Sequence, residues 1–130
     1  PSQQLLKYNM HNLLSLLGLC GFLLLVSCKA NDKNPMLIGK WKGTEWLVMD
    51  QPANADANML SFEFKDDGTY TAGFGSQTQA GVWRTQVDKL FTTEKGKQEI
   101  MVKILRADGQ SLEFEMNRGG QKEIIKLEKE

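Results

Sequence analysis

A chain of 130 residues suits a single domain that buries roughly two-thirds of the surface its unfolded form exposes. Sixteen lysines and arginines balance sixteen aspartates and glutamates, so there is no basic field to hold a nucleic-acid backbone or an acidic lipid surface. Nucleic acid is therefore excluded as a partner.

The stretch from Leu13 to Val26 is almost wholly apolar and carries no charge. It is shorter than the ~20 residues that span a bilayer core. Behind the weakly basic start supplied by Lys7 it reads as the hydrophobic region of a secretory signal, with a membrane-spanning anchor as the alternative. It ends in Leu25-Val26-Ser27-Cys28, which resembles the lipobox of bacterial lipoproteins. The resemblance implies cleavage before Cys28 and acylation of that cysteine, with palmitate among the chains. An ordinary signal sequence that ends in Ser-Cys is the other reading. One acyl chain anchors only marginally, at about 0.8 kcal/mol per buried methylene, so the several chains of that family would hold the domain at the membrane. The expected address is the cell envelope, at the outer membrane, with the membrane itself as partner through Cys28.

On this reading residues 1–27 are a signal peptide, 28–35 a lipidated cysteine and flexible tether, and 36–130 the folded domain. The signal takes with it Cys20 and His11, and Cys28 is acylated. No disulfide, Cys/His zinc site, cysteine nucleophile or Ser-His-Asp triad is then available, which points away from an enzyme, although carboxylate chemistry stays open. No cofactor or metal is expected.

Met36-Leu37-Ile38 is too short for a helix and is expected to form one turn capping the domain. Eight strands are predicted after it. The first, Lys40–Met49, holds Trp41 and Trp46 at opposite parity, and a bulge at Gly43 would bring both inward. Asp50–Ala57 is a long loop. Met59–Lys65 alternates Leu60, Phe62 and Phe64 against Ser61, Glu63 and Lys65, and Asp66-Asp67-Gly68 marks a tight turn into Thr69–Phe74, with Tyr70, Ala72 and Phe74 on one face. Gly73–Gly81 is expected to be a second long, flexible connection. Strands follow at Gln79–Thr85 with Trp83 inward, Lys89–Thr93 with Leu90 and Thr92 inward, and Gln98–Arg106 with Ile100, Val102 and Ile104 inward. The last two are Gln110–Asn117, with Leu112, Phe114 and Met116 inward, and Gln121–Glu128, with Ile125 and Leu127 inward.

Short strands joined by tight turns, each with one dry face, satisfy their edges best by closing on themselves. The predicted fold is all-β: an eight-stranded antiparallel up-and-down barrel behind a cleaved signal peptide, with a two-sheet sandwich as rival. Gly39-Lys40-Trp41 opening the first strand, Phe62-x-Phe64 leading into Asp67-Gly68-Thr69-Tyr70, and Gly81-x-Trp83 together resemble the lipocalin-like domains of bacterial lipoproteins. The resemblance implies that Gly39 and Trp41 close one end of the barrel. The last strand has no arginine to lie across Trp41, and Lys126 or Lys122 is the expected substitute.

The candidate ligand contacts are the inward rings and thioether: Trp46, Phe62, Tyr70, Phe74, Trp83, Phe114 and Met116. They suit a small apolar or amphipathic ligand held non-enzymatically in the barrel. They also suit a filled core, which the small size of the domain favours, and in that case the barrel would act through its outside as an accessory or inhibitory module of a larger envelope protein. Asp66 and Asp67 read as turn formers, and the charged ends at Lys95–Glu99 and Lys126–Glu130 as solvated surface.

Overall fold

The computed structural model describes residues 32–130; the expected signal peptide and the expected acylation site, Cys28, lie outside them. The strands are β1 (Gly39–Val48), β2 (Gln51–Pro52), β3 (Leu60–Phe64), β4 (Thr69–Phe74), β5 (Gln77–Gln86), β6 (Lys89–Glu94), β7 (Ile100–Ala107), β8 (Ser111–Arg118) and β9 (Gln121–Lys129). The eight long ones pair antiparallel in chain order, and β9 returns to β1 from Trp41↔Lys129 to Val48↔Glu123, closing an up-and-down barrel. The two-residue β2 folds back on Leu47 and Val48 as a flap.

Alternation places the apolar side chains inside. Trp41, Leu60, Phe64, Tyr70, Trp83, Leu90, Leu112, Phe114, Ile125 and Leu127 are all buried in one core. The rings form a connected column. Trp83 packs edge-on to Phe64 at 5.3 Å between centroids, Phe64 to Phe114 at 6.3 Å, and Phe62 to Phe114 and Phe74 at 6.4 and 5.9 Å. Phe62, Trp83 and Phe114 thus share one interior.

β1 reaches around this core because its register slips between Gly43 and Glu45. Trp41 is buried and Trp46 half-buried against the same core despite their opposite parity. Glycine is required at the slip, where a Cβ on Gly43 would collide with the Ala57 carbonyl and sit 2.9 Å from Leu60 Cβ.

The connections alternate between two ends. One end, the base, carries the turns Lys65–Gly68, Val87–Asp88 and Asp108–Gln110. The other, the mouth, carries Met49–Asp50, Gly75–Ser76, Lys95–Glu99 and Gly119–Gly120. The structure corrects the expectation for Gly73–Gly81. That segment is a two-residue hairpin at Gly75–Ser76, with Phe74 paired to Gln77 and Gly73 to Thr78. Gly75 takes φ +67°, and the polar run after it is strand held by backbone bonds rather than by apolar alternation.

The tether differs too. Asp32 forms a bridge with Thr85, its N–H donating to the Thr85 carbonyl (3.1 Å) and its carbonyl accepting the Thr85 N–H (2.6 Å). The Thr85 hydroxyl accepts the Asn34 N–H at 2.8 Å and donates to the Asp32 carbonyl at 2.8 Å. Asp32–Asn34, expected to swing free, are docked along β5. They lead into the expected single turn, a 3-10 turn at Pro35–Leu37 capped by the Asn34 side chain.

Candidate functional site

The base is sealed. Leu37, the last residue of the 3-10 turn, and Trp41 are fully buried, and the Trp41 indole N–H donates to the Leu37 carbonyl at 2.7 Å. Trp83 does the same to the Lys65 carbonyl at 2.9 Å. The cation across Trp41 is Lys129, whose Nζ lies 5.6 Å from the ring centroid; it is neither Lys126 nor Lys122. Those two turn outward, to Glu45 (3.1 Å) and Asp50 (2.8 Å). Register explains the assignment, because Lys129 is the residue opposite Trp41. Gly39 explains its path: at φ +136° it has no Cβ where Lys129 Cε would be 2.9 Å away. Gly39 and Trp41 therefore act together at this closed end, with the terminal lysine laid over them.

The mouth is different. A pit of about 90 Å³ opens there, lined by Phe62, Tyr70, Phe74, Phe114, Met116 and Arg118, with Leu90 and Val102 also exposed to it. It continues into an open vestibule of about 390 Å³ bounded by Gln79, Thr92, Glu94, Lys97, Gln98 and Ile100. Ile100 has inward parity, as expected, but stands 58% exposed because it meets the vestibule and not the core. Of the seven candidate contacts, the fold gathers Phe62, Tyr70, Phe74, Phe114 and Met116 around this pit. Trp83 sits at the opposite end with its N–H engaged. Trp46 is at the mouth but outside the lining, and its indole N–H points at Glu123.

The phenol of Tyr70 is buried, which pushes its pKa up; a hydrogen bond with Thr92 pulls it part of the way back. Phe62, Phe74 and Phe114 form an edge-to-face cluster, the arrangement aromatic quadrupoles favour, so the pit is walled by packed rings.

Sequence reasoning missed the charged pair beside the pit. Glu123 is only 6% exposed. It is the cross-strand partner of Met116 and of Val48, which places it inside the barrel at the mouth. Trp46 Nε1 donates to its Oε1 over a long 3.4 Å, and Arg118 Nε lies 3.0 Å from Oε2 as an ion pair lacking hydrogen-bond alignment. The Arg118 side chain itself is 64% exposed. The signal was present: Glu123 shares parity with Ile125 and Leu127, and Arg118 with Met116 and Phe114.

No family model matches the chain, and no curated protein does. Among solved structures it is similar to an uncharacterized protein from Bacteroides eggerthii, at 14% identity and a TM-score of 0.52, over 69% of this chain and 98% of that one. At that identity the likeness is one of fold, a small β-barrel.

Proposed function

We propose that this protein is a non-enzymatic binding module of the cell envelope, lipid-anchored through Cys28, which takes a small apolar or amphipathic ligand at the barrel mouth. The observation that carries the reading is the asymmetry of the barrel. One end is plugged by Leu37 and Trp41, and the other presents an aromatic pit that opens into a vestibule. Pit and vestibule together fall in the lower part of the range of small-molecule sites, roughly 300–1,000 Å³. The filled interior below them limits the ligand to one that inserts only a short chain or a single ring.

Native mass spectrometry of the protein taken from its source membrane tests the reading. A small molecule that co-purifies with the wild type and is lost on Phe74→Ala supports it; protein free of any adduct, with no mouth resonance moved by amphipathic probes, rejects it. The anchor is tested separately. Cys28→Ala is expected to leave the membrane fraction, and retention there would reject lipidation.

One observation favours a second reading, a protein-interaction module of the envelope. The outer wall of β5–β7 exposes Val82, Met101 and Leu105 at 54%, 51% and 41%, with Phe91 paired to Met101 across the strands. An apolar patch of this kind commonly marks a protein contact. Val82→Lys with Met101→Lys is the discriminating variant, since it alters this wall and leaves the mouth untouched.

A further inference from the structure

Resting on the mouth as the binding site, we infer that Glu123 is a receptor for a cationic group, an ammonium or guanidinium carried on a short apolar chain, and that Arg118 is its resident occupant. A buried carboxylate offers about four lone-pair sites and is costly to leave short of donors. Glu123 receives one long hydrogen bond, from Trp46 at 3.4 Å, and its Oε2 has no aligned donor at all. Arg118 supplies charge at 3.0 Å without supplying that bond.

The two partners are unequal in what they need. The guanidinium is mostly in water, which satisfies its remaining N–H groups, whereas the carboxylate is sealed from water by the barrel wall. Arg118 ends β8 and adjoins the Gly119–Gly120 turn, where its second contact is a weak one, Nη2 to Met116 Sδ at 3.8 Å. Swinging it outward sacrifices little. A ligand ammonium entering beside it brings three donors to a carboxylate that lacks them, while the attached chain lies in the pit between Met116, Phe62 and Phe74. The same geometry disfavours an anion. An anionic ligand could reach Arg118, but only next to a carboxylate that cannot move into solvent.

The test uses probes of one chain length and opposite charge, hexylamine and hexanoate at pH 7, with the Trp46 indole N–H resonance as readout. Hexylamine is expected to shift that resonance and to bind about tenfold or more tighter than hexanoate, a factor of ten being the least that losing one buried charge-assisted bond produces. Glu123→Gln, nearly isosteric, is expected to abolish the preference. Arg118→Gln is expected to strengthen hexylamine binding several-fold by removing the competitor, and its unfolding midpoint establishes that it folds. Equal binding of both probes, unaffected by Glu123→Gln, overturns the cation receptor and leaves the mouth site standing. Tighter hexanoate binding that disappears in Arg118→Gln overturns it in favour of Arg118 as the receptor. If neither probe moves any mouth resonance, the mouth reading itself fails, and this inference with it.

Discussion

The same eight strands build both ends of the barrel, yet the ends are closed by different means. At the base a 3-10 turn, two indoles bonded to backbone carbonyls, and the docked Asp32–Asn34 fill the opening. At the mouth a pit of rings lies under a vestibule, and a buried carboxylate is left with incomplete hydrogen bonding. Stability is concentrated at one end, and the capacity to receive something at the other. Unsatisfied polar groups and open apolar surface persist only where the rest of the fold can bear their cost.

The two N-terminal tryptophans put this contrast to its strongest test. Trp41→Ala removes a fully buried indole with its hydrogen bond to Leu37 and is expected to cost about 3–5 kcal/mol. Trp46→Ala removes a half-buried ring with one long bond, and roughly 1–2 kcal/mol is expected. Urea unfolding of the two variants measures both. Equal losses would show that the mouth is as tightly built as the base, and the division of labour would fall.

How much of this was legible in the sequence depended on which atoms did the work. Strands that alternate, such as Leu112-Phe114-Met116, announce themselves because side-chain burial forms them, and the eight-stranded closure follows. Gln77–Gln79 gave no such sign, since backbone pairing with Phe74 and Gly73 makes that stretch a strand. Asp32–Asn34 read as tether for a similar reason: they are held by the Thr85 backbone and hydroxyl, which no apolar pattern marks. Lys129 was lost in a charged run whose register was invisible. Glu123 was passed over because a glutamate next to a lysine normally belongs outside, and here the parity outweighed the residue type.

Backbone strain separates the ends at a smaller scale. Val87, at the base, takes φ +55°, and Met49, at the mouth, takes φ +52° beside Asp50 at +65°. A β-branched residue in the left-handed region costs about 1–2 kcal/mol, and Val87 is 91% exposed, so its side chain gains little from packing to offset that strain. Val87→Gly is expected to raise stability by about 0.5–1 kcal/mol after the greater entropy loss of glycine. Met49 is compensated. Its N–H donates to the Lys122 carbonyl at 2.8 Å, its sulfur accepts the Lys122 N–H at 3.4 Å, and Asp50 pairs with Lys122 Nζ at 2.8 Å. Met49→Gly should therefore change the thermal midpoint little. A gain as large as that of Val87→Gly would show that the mouth turn is not pinned in this way.

The smallest effect, and the one that resolves the two ends within a single molecule, is their opposite response to pH. At the base, the N–H groups of Gln110 and Ser111, with Arg106 beside them, hold the Asp108 carboxyl down at about 2, and the Thr69 hydroxyl and N–H hold Asp67 below its usual range. A lowered carboxylate contributes stability that is complete above the unfolded pKa, roughly 4. For Asp108 it is lost as pH falls from there toward 2. At the mouth, Asp50 raises the pKa of Lys122 through a hydrogen bond and its charge. That contribution is complete below the unfolded lysine value, roughly 10.4, and is lost as pH rises through the higher folded value. Amide exchange followed by NMR should show turns Lys65–Gly68 and Asp108–Gln110 loosening first in acid, and Met49–Asp50 first in alkali. In Asp108→Ala the deficit seen at pH 7 should close between about pH 4 and 2. A deficit unchanged at pH 2 would trace the cap to geometry alone. Loosening of both ends together in acid would mean that base and mouth open as one unit, and that the pit cannot accept a ligand without disturbing the plug.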